Sequence, residues 1–217
     1  MRTIIFDTET TGINEPGLVE AAWLEVDEPR TLLAGQQFSG RFNPGKLIEY
    51  GAMATHHITN EDIAGAPPAS DFALPDGVEY LIGHNVDFDW KVIGKPKVKL
   101  ICTLAFSRKI WPDDSHTLGA MLYRLEGAGA RDAVKAAHSA LADVHICRTI
   151  LSHIIATIGE PADWAELWTL SEAARIPDVM AFGKHKGAKI KDVPNDYKRW
   201  LLGQPDVDPY LRQALRA

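Results

Sequence analysis

The chain has 217 residues, is 46% hydrophobic and carries a formal net charge of −6, enough for one good core with room for a small appendage. Its two cysteines, Cys102 and Cys147, exclude a disulfide framework and are too few for a structural zinc site. No apolar run reaches the ~18 residues of a membrane span, and Asp7 stands where a signal peptide needs unbroken apolar residues, so a reducing, cytoplasmic location is expected.

Residues 3–9 read as a strand, followed by two more at Val19–Val26 and Gln36–Phe42, with turn signals at Asn14–Gly17 and Pro29. Short connections make these three an antiparallel meander. Asn60–Ile63 reads as a helical turn, and Pro67-Pro68 breaks the chain. Val78–Ile82 is a buried strand leading into Gly83-His84-Asn85, and Val98–Cys102 is a fifth strand. Helical patterns follow at His116–Leu125, from about His138 to Ile158, and at Ala162–Arg175. Three strands, then strands alternating with helices, give an α/β fold: a mixed five-stranded sheet covered by helices. Ile176-Pro177 marks the boundary between a domain of residues 1–176 and a module of residues 177–217. In the module Phe182–Gly187 is a tight turn or hairpin, followed by short helices at Tyr197–Leu202 and Pro209–Leu215, an α+β pattern.

Charge divides along the same line. Residues 180–217 hold eight Lys and Arg against four Asp, a net of +4, which leaves −10 for residues 1–179 out of the chain's −6. An acidic body and a basic tail present different surfaces.

Three segments concentrate acids where a fold finds them costly. In Phe6-Asp7-Thr8-Glu9-Thr10-Thr11-Gly12 the period of two points Asp7 and Glu9 to one face, at the end of a buried strand. Two such carboxylates repel each other, and a hard divalent cation such as Mg²⁺ resolves the conflict; a solvated pair closed by Gly12 is the alternative. The second segment, Gly83–Trp90, ends in Asp87 and Asp89, with Asp89 at the start of a short helix, where a simple helix-terminal acid is also a reading. In the third, Asp143 precedes Cys147, Ile150 and Ile154 by four, seven and eleven residues, on the buried stripe of its helix. There an acid needs a metal or a basic partner. His138 is ~140° away from Asp143 on a helix and fits better before it, on a loop formed by residues 127–137. Near a carboxylate metal site, a histidine of ordinary pKa is a candidate general base.

Together, Phe6–Gly12, His84–Asp89 and His138–Asp143 resemble the three motifs of the DEDDh (DnaQ-like) 3′→5′ exonuclease family, which includes proofreading subunits of bacterial replicative polymerases. Order and spacing match over about residues 1–158. Ala54–Thr59, Ile101–Thr103, Trp111-Pro112, Phe182–Gly187 and Tyr197–Leu201 resemble an exodeoxyribonuclease branch whose C-terminal module most members lack. The resemblance implies a ribonuclease H-like fold. It assigns metal binding to Asp7, Glu9, Asp89 and Asp143, with Asp89 selected over Asp87 because this motif normally reads His-Asn-x-x-Phe-Asp, and makes His138 the base. It also places Thr8, Thr10, His56, His84, Asn85 and Phe88 around the substrate, although a surface role competes for His56.

The implied reaction is hydrolysis of the terminal phosphodiester at a 3′ end of DNA, releasing nucleoside 5′-monophosphates in repair or recombination. Two Mg²⁺ ions, replaceable by Mn²⁺, serve attacking water and leaving oxygen, and also neutralise the acidic pocket toward an anionic substrate. The expected partner is single-stranded DNA or the 3′ end of a duplex. RNA trimming, a polymerase proofreading role and a non-catalytic binding domain are the alternatives. Lys184, Lys186 and Lys189 are candidate backbone contacts, with Phe182 or Trp200 stacking; Trp200, next to Leu201, is expected in the core of the small module.

Overall fold

In the computed structural model, which describes residues 2–217, the N-terminal strands are Arg2–Thr10 (β1), Leu18–Val26 (β2) and Ala34–Arg41 (β3). Both pairings in this meander are antiparallel. Val78–Gly83 (β4) and Lys99–Cys102 (β5) are added in parallel, so the sheet order is β3-β2-β1-β4-β5 with β1 at its centre. A central strand is covered on both faces, which explains why Ile4, Ile5 and Phe6 have no exposure at all. The result is the expected mixed five-stranded sheet flanked by helices.

The helices are Tyr50–His56 (α1), Asn60–Ile63 (α2), Val86–Val92 (α3), Thr103–Ile110 (α4), Leu118–Glu126 (α5), Arg131–Ala136 (α6), Ala140–Ile158 (α7), Trp164–Arg175 (α8), Asn195–Leu202 (α9) and Pro209–Arg216 (α10). α1 and α4 were not expected. In α4 the buried positions are Thr103, Ala105, Phe106 and Ser107, so small polar residues replace the apolar stripe that would have signalled it. The segment expected as a loop before His138 is a 3-10 turn at Gly127–Ala130 followed by α6.

α7 packs on β1 and β2 and buries Val144, Cys147, Ile150, Leu151 and Ile154. By length and composition it is apolar enough to cross a membrane. Asp143 and Arg148 nevertheless interrupt any unbroken apolar run, and its buried residues account for its hydropathy. Its N-terminus is capped by Ser139, whose hydroxyl accepts from Ala142 N, and its C-terminus by Gly159 in the left-handed conformation.

The chain divides into two compact units, one ending at Ser171 and one spanning Glu172–Ala217, so the division falls inside α8. The second unit has its own core, in which Met180, Ile190, Val193, Leu201, Leu211 and Leu215 are buried. Its β content is one isolated antiparallel bridge, Val179 to Lys189, which closes the turn over residues 180–188. Asp208 caps α10 by accepting from Tyr210 N and Leu211 N.

Candidate active site

The site is built at the end of β1. Asp7 lies opposite Ala22 and Glu9 opposite Glu20 in the β1–β2 register. Directly opposed residues share a face, so small Ala22 leaves room beside Asp7 while Glu20 stands next to Glu9. The first turn of α7 brings Asp143 to this face, and oxygens of Asp7, Glu9 and Asp143 all lie within 4.8 Å of one another. Gly12 ends the motif at φ 156°, a backbone conformation that side chains rarely adopt.

Asp89 reaches the site from α3. Gly83 lets β4 stop tightly, since a Cβ there would lie 3.0 Å from the Phe6 carbonyl oxygen. Asn85 then caps α3 in the left-handed conformation, φ 75°, which asparagine tolerates. The helix therefore begins before Asp89 and buries it at 4% exposure. Asp89 Oδ1 accepts from the Thr8 hydroxyl at 2.6 Å and from Thr8 N at 3.1 Å. The structure thus ties Asp89 to β1.

These carboxyls perturb one another. Burial, then repulsion from Asp89, Asp143, Glu9 and Glu20, holds the Asp7 carboxyl well above the usual carboxylate range. Burial, then Asp143, Glu20 and Asp89, pushes Glu9 up to about 8. Burial pushes Asp89 up to about 7, against the two hydrogen bonds from Thr8 that favour its charged form. Asp143 is raised by burial, partly offset by the His138 N–H. Among the described residues no lysine or arginine pairs with any of the four. An uncompensated cluster of oxygen donors suits a hard divalent cation, which would supply the missing charge.

His138 lies immediately before α7, exposed and in the left-handed conformation at φ 68°. Its backbone N–H donates to Asp143 Oδ1 at 3.3 Å, which places it beside the cluster. Such a backbone costs on the order of 1–3 kcal/mol for a non-glycine residue.

Several of the residues expected around the substrate are hydrogen-bonded within the protein. The Thr8 hydroxyl is spent on Asp89, and that of Thr10 on the Gly12 carbonyl at 3.0 Å. His56 is not a surface residue: it is 6% exposed, its Nε2–H donates to the Thr10 carbonyl and its Nδ1 accepts from Ile58 N. Burial lowers its pKa and keeps the ring neutral. His84 uses both nitrogens, Nε2 toward the His116 carbonyl at 2.7 Å and Nδ1 toward the Thr103 hydroxyl at 2.9 Å. Asn85 is exposed and Phe88 half-buried.

Glu20 escaped the sequence reading. It is 8% exposed, accepts from Ala140 N at 2.8 Å and faces Arg41 Nε at 3.6 Å. It therefore fastens the first turn of α7, and with it Asp143, to the strand beside Glu9. The available signal was an acid inside the apolar run Leu18-Val19-Glu20-Ala21-Ala22.

The sequence pattern of the Exonuclease family matches residues 4–151, which span β1 through most of α7 and all four acids. The chain belongs to the exonuclease family. Like Exodeoxyribonuclease 10 of Escherichia coli K12, to which it is 31% identical over 225 residues, this exonuclease extends beyond the catalytic region; the match covers 98% of the chain and 96% of that relative. It is 28% identical over 170 residues to the DNA polymerase III subunit epsilon of the same organism, covering 67% of the chain and 68% of the subunit. Among solved structures it is similar to Exonuclease X in complex with 5′ overhanging duplex DNA, with a TM-score of 0.64 and 28% identity over 78% of this chain and 99% of that one. Exonuclease I, at 17% identity and a TM-score of 0.57, shares the fold; the match covers 78% of this chain and 42% of that one. Divalent metals are used across the family, and in this member Asp7, Glu9 and Asp143 could hold one.

Proposed function

We propose that this exonuclease is a Mg²⁺-dependent 3′→5′ exodeoxyribonuclease that releases nucleoside 5′-monophosphates from DNA ends during repair or recombination. The observation that carries the reading is the convergence of Asp7, Glu9 and Asp143 within 4.8 Å, with Asp89 buried against the same strand and His138 beside Asp143. The near-full-length likeness to an exodeoxyribonuclease supports DNA as the substrate.

Asp7, Glu9 and Asp143 would hold the cation, with Asp89 completing the acidic wall. Once bound, a divalent ion supplies an acidified water and neutralises charge on the phosphodiester oxygens. His138, exposed beside Asp143, would accept a proton from the attacking water. Thr8 holds Asp89 and Glu20 holds α7, so the wall keeps its shape while the substrate end exchanges.

Matched single-stranded DNA and RNA oligonucleotides, each labelled at the 5′ end, test the reading with Mg²⁺ present or chelated. A ladder shortening from the 3′ end of DNA, absent on chelation and in Asp7→Ala, is expected. A ladder on RNA alone would replace the reading with RNA trimming, and immediate release of the labelled nucleotide would reverse the polarity.

A further inference from the structure

The second unit leaves its largest aromatic side chains outside its core. Met180, Ile190, Val193, Leu201, Leu211 and Leu215 fill that core. Trp200, expected inside, is 56% exposed, and Phe182 is 49% exposed. Leu201 takes the buried position because it points to the other side of α9. A small unit that displays tryptophan while burying leucine presents a binding surface.

Trp200 belongs to a row of rings whose other members, Tyr197 and His185, are half-buried. Tyr197 and Trp200, one turn apart on α9, have centroids 5.3 Å apart at 41°, and His185 meets Tyr197 edge-on at 4.6 Å and 71°. The turn that carries Phe182 and His185 is pressed against the same ring: a Cβ on Gly183 would lie 2.6 Å from the Tyr197 hydroxyl, and Gly183 has φ 73°. Only glycine lets the loop approach so closely in that conformation. The tilts keep the rings from covering one another, so Trp200 retains an open face.

The charge around the row has one sign in the turn. Lys184 and Lys186 bracket His185, and Arg199 precedes Trp200; all three are exposed and form no ion pair among the described residues. Asp196, the acid beside Tyr197, is held by the Tyr197 backbone N–H. Exposed rings flanked by free cations match an anionic polymer whose flat groups are unstacked, which is a single nucleic-acid strand.

We propose that Trp200, Tyr197, His185 and Phe182, with Lys184 and Lys186, form a second DNA site that stacks bases of a single strand and is separate in kind from the carboxylate centre. The identity of the strand as DNA rests on the function proposed above; the stacking does not.

Fluorescence anisotropy of the full-length protein with a 20-mer of deoxythymidylate in chelator tests this, because without a cation the carboxylate centre has no positive charge to hold phosphate. Each stacked base contributes ~1–3 kcal/mol, so Trp200→Ala should raise the Kd about 5- to 150-fold, while Trp200→Phe stays near wild type. Lys184→Gln with Lys186→Gln should reduce the slope of log K against log salt by about 1.4, at ~0.7 per lost phosphate contact. Turnover of the p-nitrophenyl ester of thymidine 5′-monophosphate with Mg²⁺ should be unchanged in every variant. Unchanged 20-mer affinity in Trp200→Ala, or an unchanged salt slope in the double lysine variant, would overturn the proposal. A wild-type protein inactive on the small ester would instead count against the proposed catalytic function and leave the binding result readable.

Discussion

Loading a divalent cation into the Asp7–Glu9–Asp143 cluster should expel protons, and the structure sets how many. With Glu9 at about 8 and Asp89 at about 7, the first is roughly nine-tenths protonated at pH 7 and the second about half. Asp7 is raised in the same direction by burial and four neighbouring carboxyls. A cation stabilises the charged forms, so binding at pH 7 should release more than one proton, and apparent affinity should rise at least about 25-fold from pH 6 to pH 7. Calorimetric titration of Mg²⁺ or Mn²⁺ into the DNA-free protein, repeated in buffers of different ionisation enthalpy, counts the protons directly. Carboxylates of ordinary pKa near 4 would be fully ionised and release none. Heats independent of buffer, together with an affinity flat between pH 6 and 8, would refute the picture of Glu9 and Asp89 carboxyls raised into the neutral range.

The same groups set the pH dependence of stability. The folded pKa values of Glu9 and Asp89 lie above their unfolded ones, so their contribution is complete below about pH 4 and is lost as pH rises through about 7 and 8. The metal-free Tm should therefore fall between pH 5 and pH 8, and saturating Mg²⁺ should remove most of the decline; a metal-free Tm that rises over this range would contradict it. Thr8→Val deletes the 2.6 Å donor to Asp89; a hydrogen bond to a charged group is worth ~1.5–3 kcal/mol, so the acid limb of the pH–rate profile should move up by about one to two pH units, and an unmoved limb would deny Thr8 that role. His138→Ala should lower kcat by ~10²–10⁴, the range of a general base, with an unchanged rate removing it from the reaction. Glu20→Ala strands the Ala140 N–H and should cost ~1–3 kcal/mol by denaturant unfolding; Glu20→Gln, which keeps an acceptor, should recover most of it, and equal losses would show that the helix contact is not what matters.

What could be read from the sequence followed from regular periods. The two-residue repeat aligned Asp7 with Glu9, and the helical repeat placed Asp143 on the stripe of Cys147, Ile150 and Ile154. Asp89 was different: local pattern could not separate it from Asp87, because burial depends on where α3 begins, and that is set by the left-handed Asn85 after Gly83. The motif resemblance made the choice. Thr8, His56 and His84 were placed around the substrate by the motif resemblance, and no local pattern showed what they bond to. Their hydrogen bonds go to Asp89, Thr10, Ile58, Thr103 and His116, partners that come mostly from other elements. Trp200 failed for the opposite reason. Hydrophobicity put it in the core, but seven smaller apolar side chains already fill that space.

The central claim is that the carboxylates of β1 and α7 form a cation site. Anomalous diffraction from a crystal soaked in Mn²⁺ at pH 8 tests it most directly. The account predicts a manganese peak bounded by Asp7, Glu9 and Asp143, lost in Asp7→Ala. Manganese found only elsewhere on the protein, with these three side chains left unligated, would contradict it.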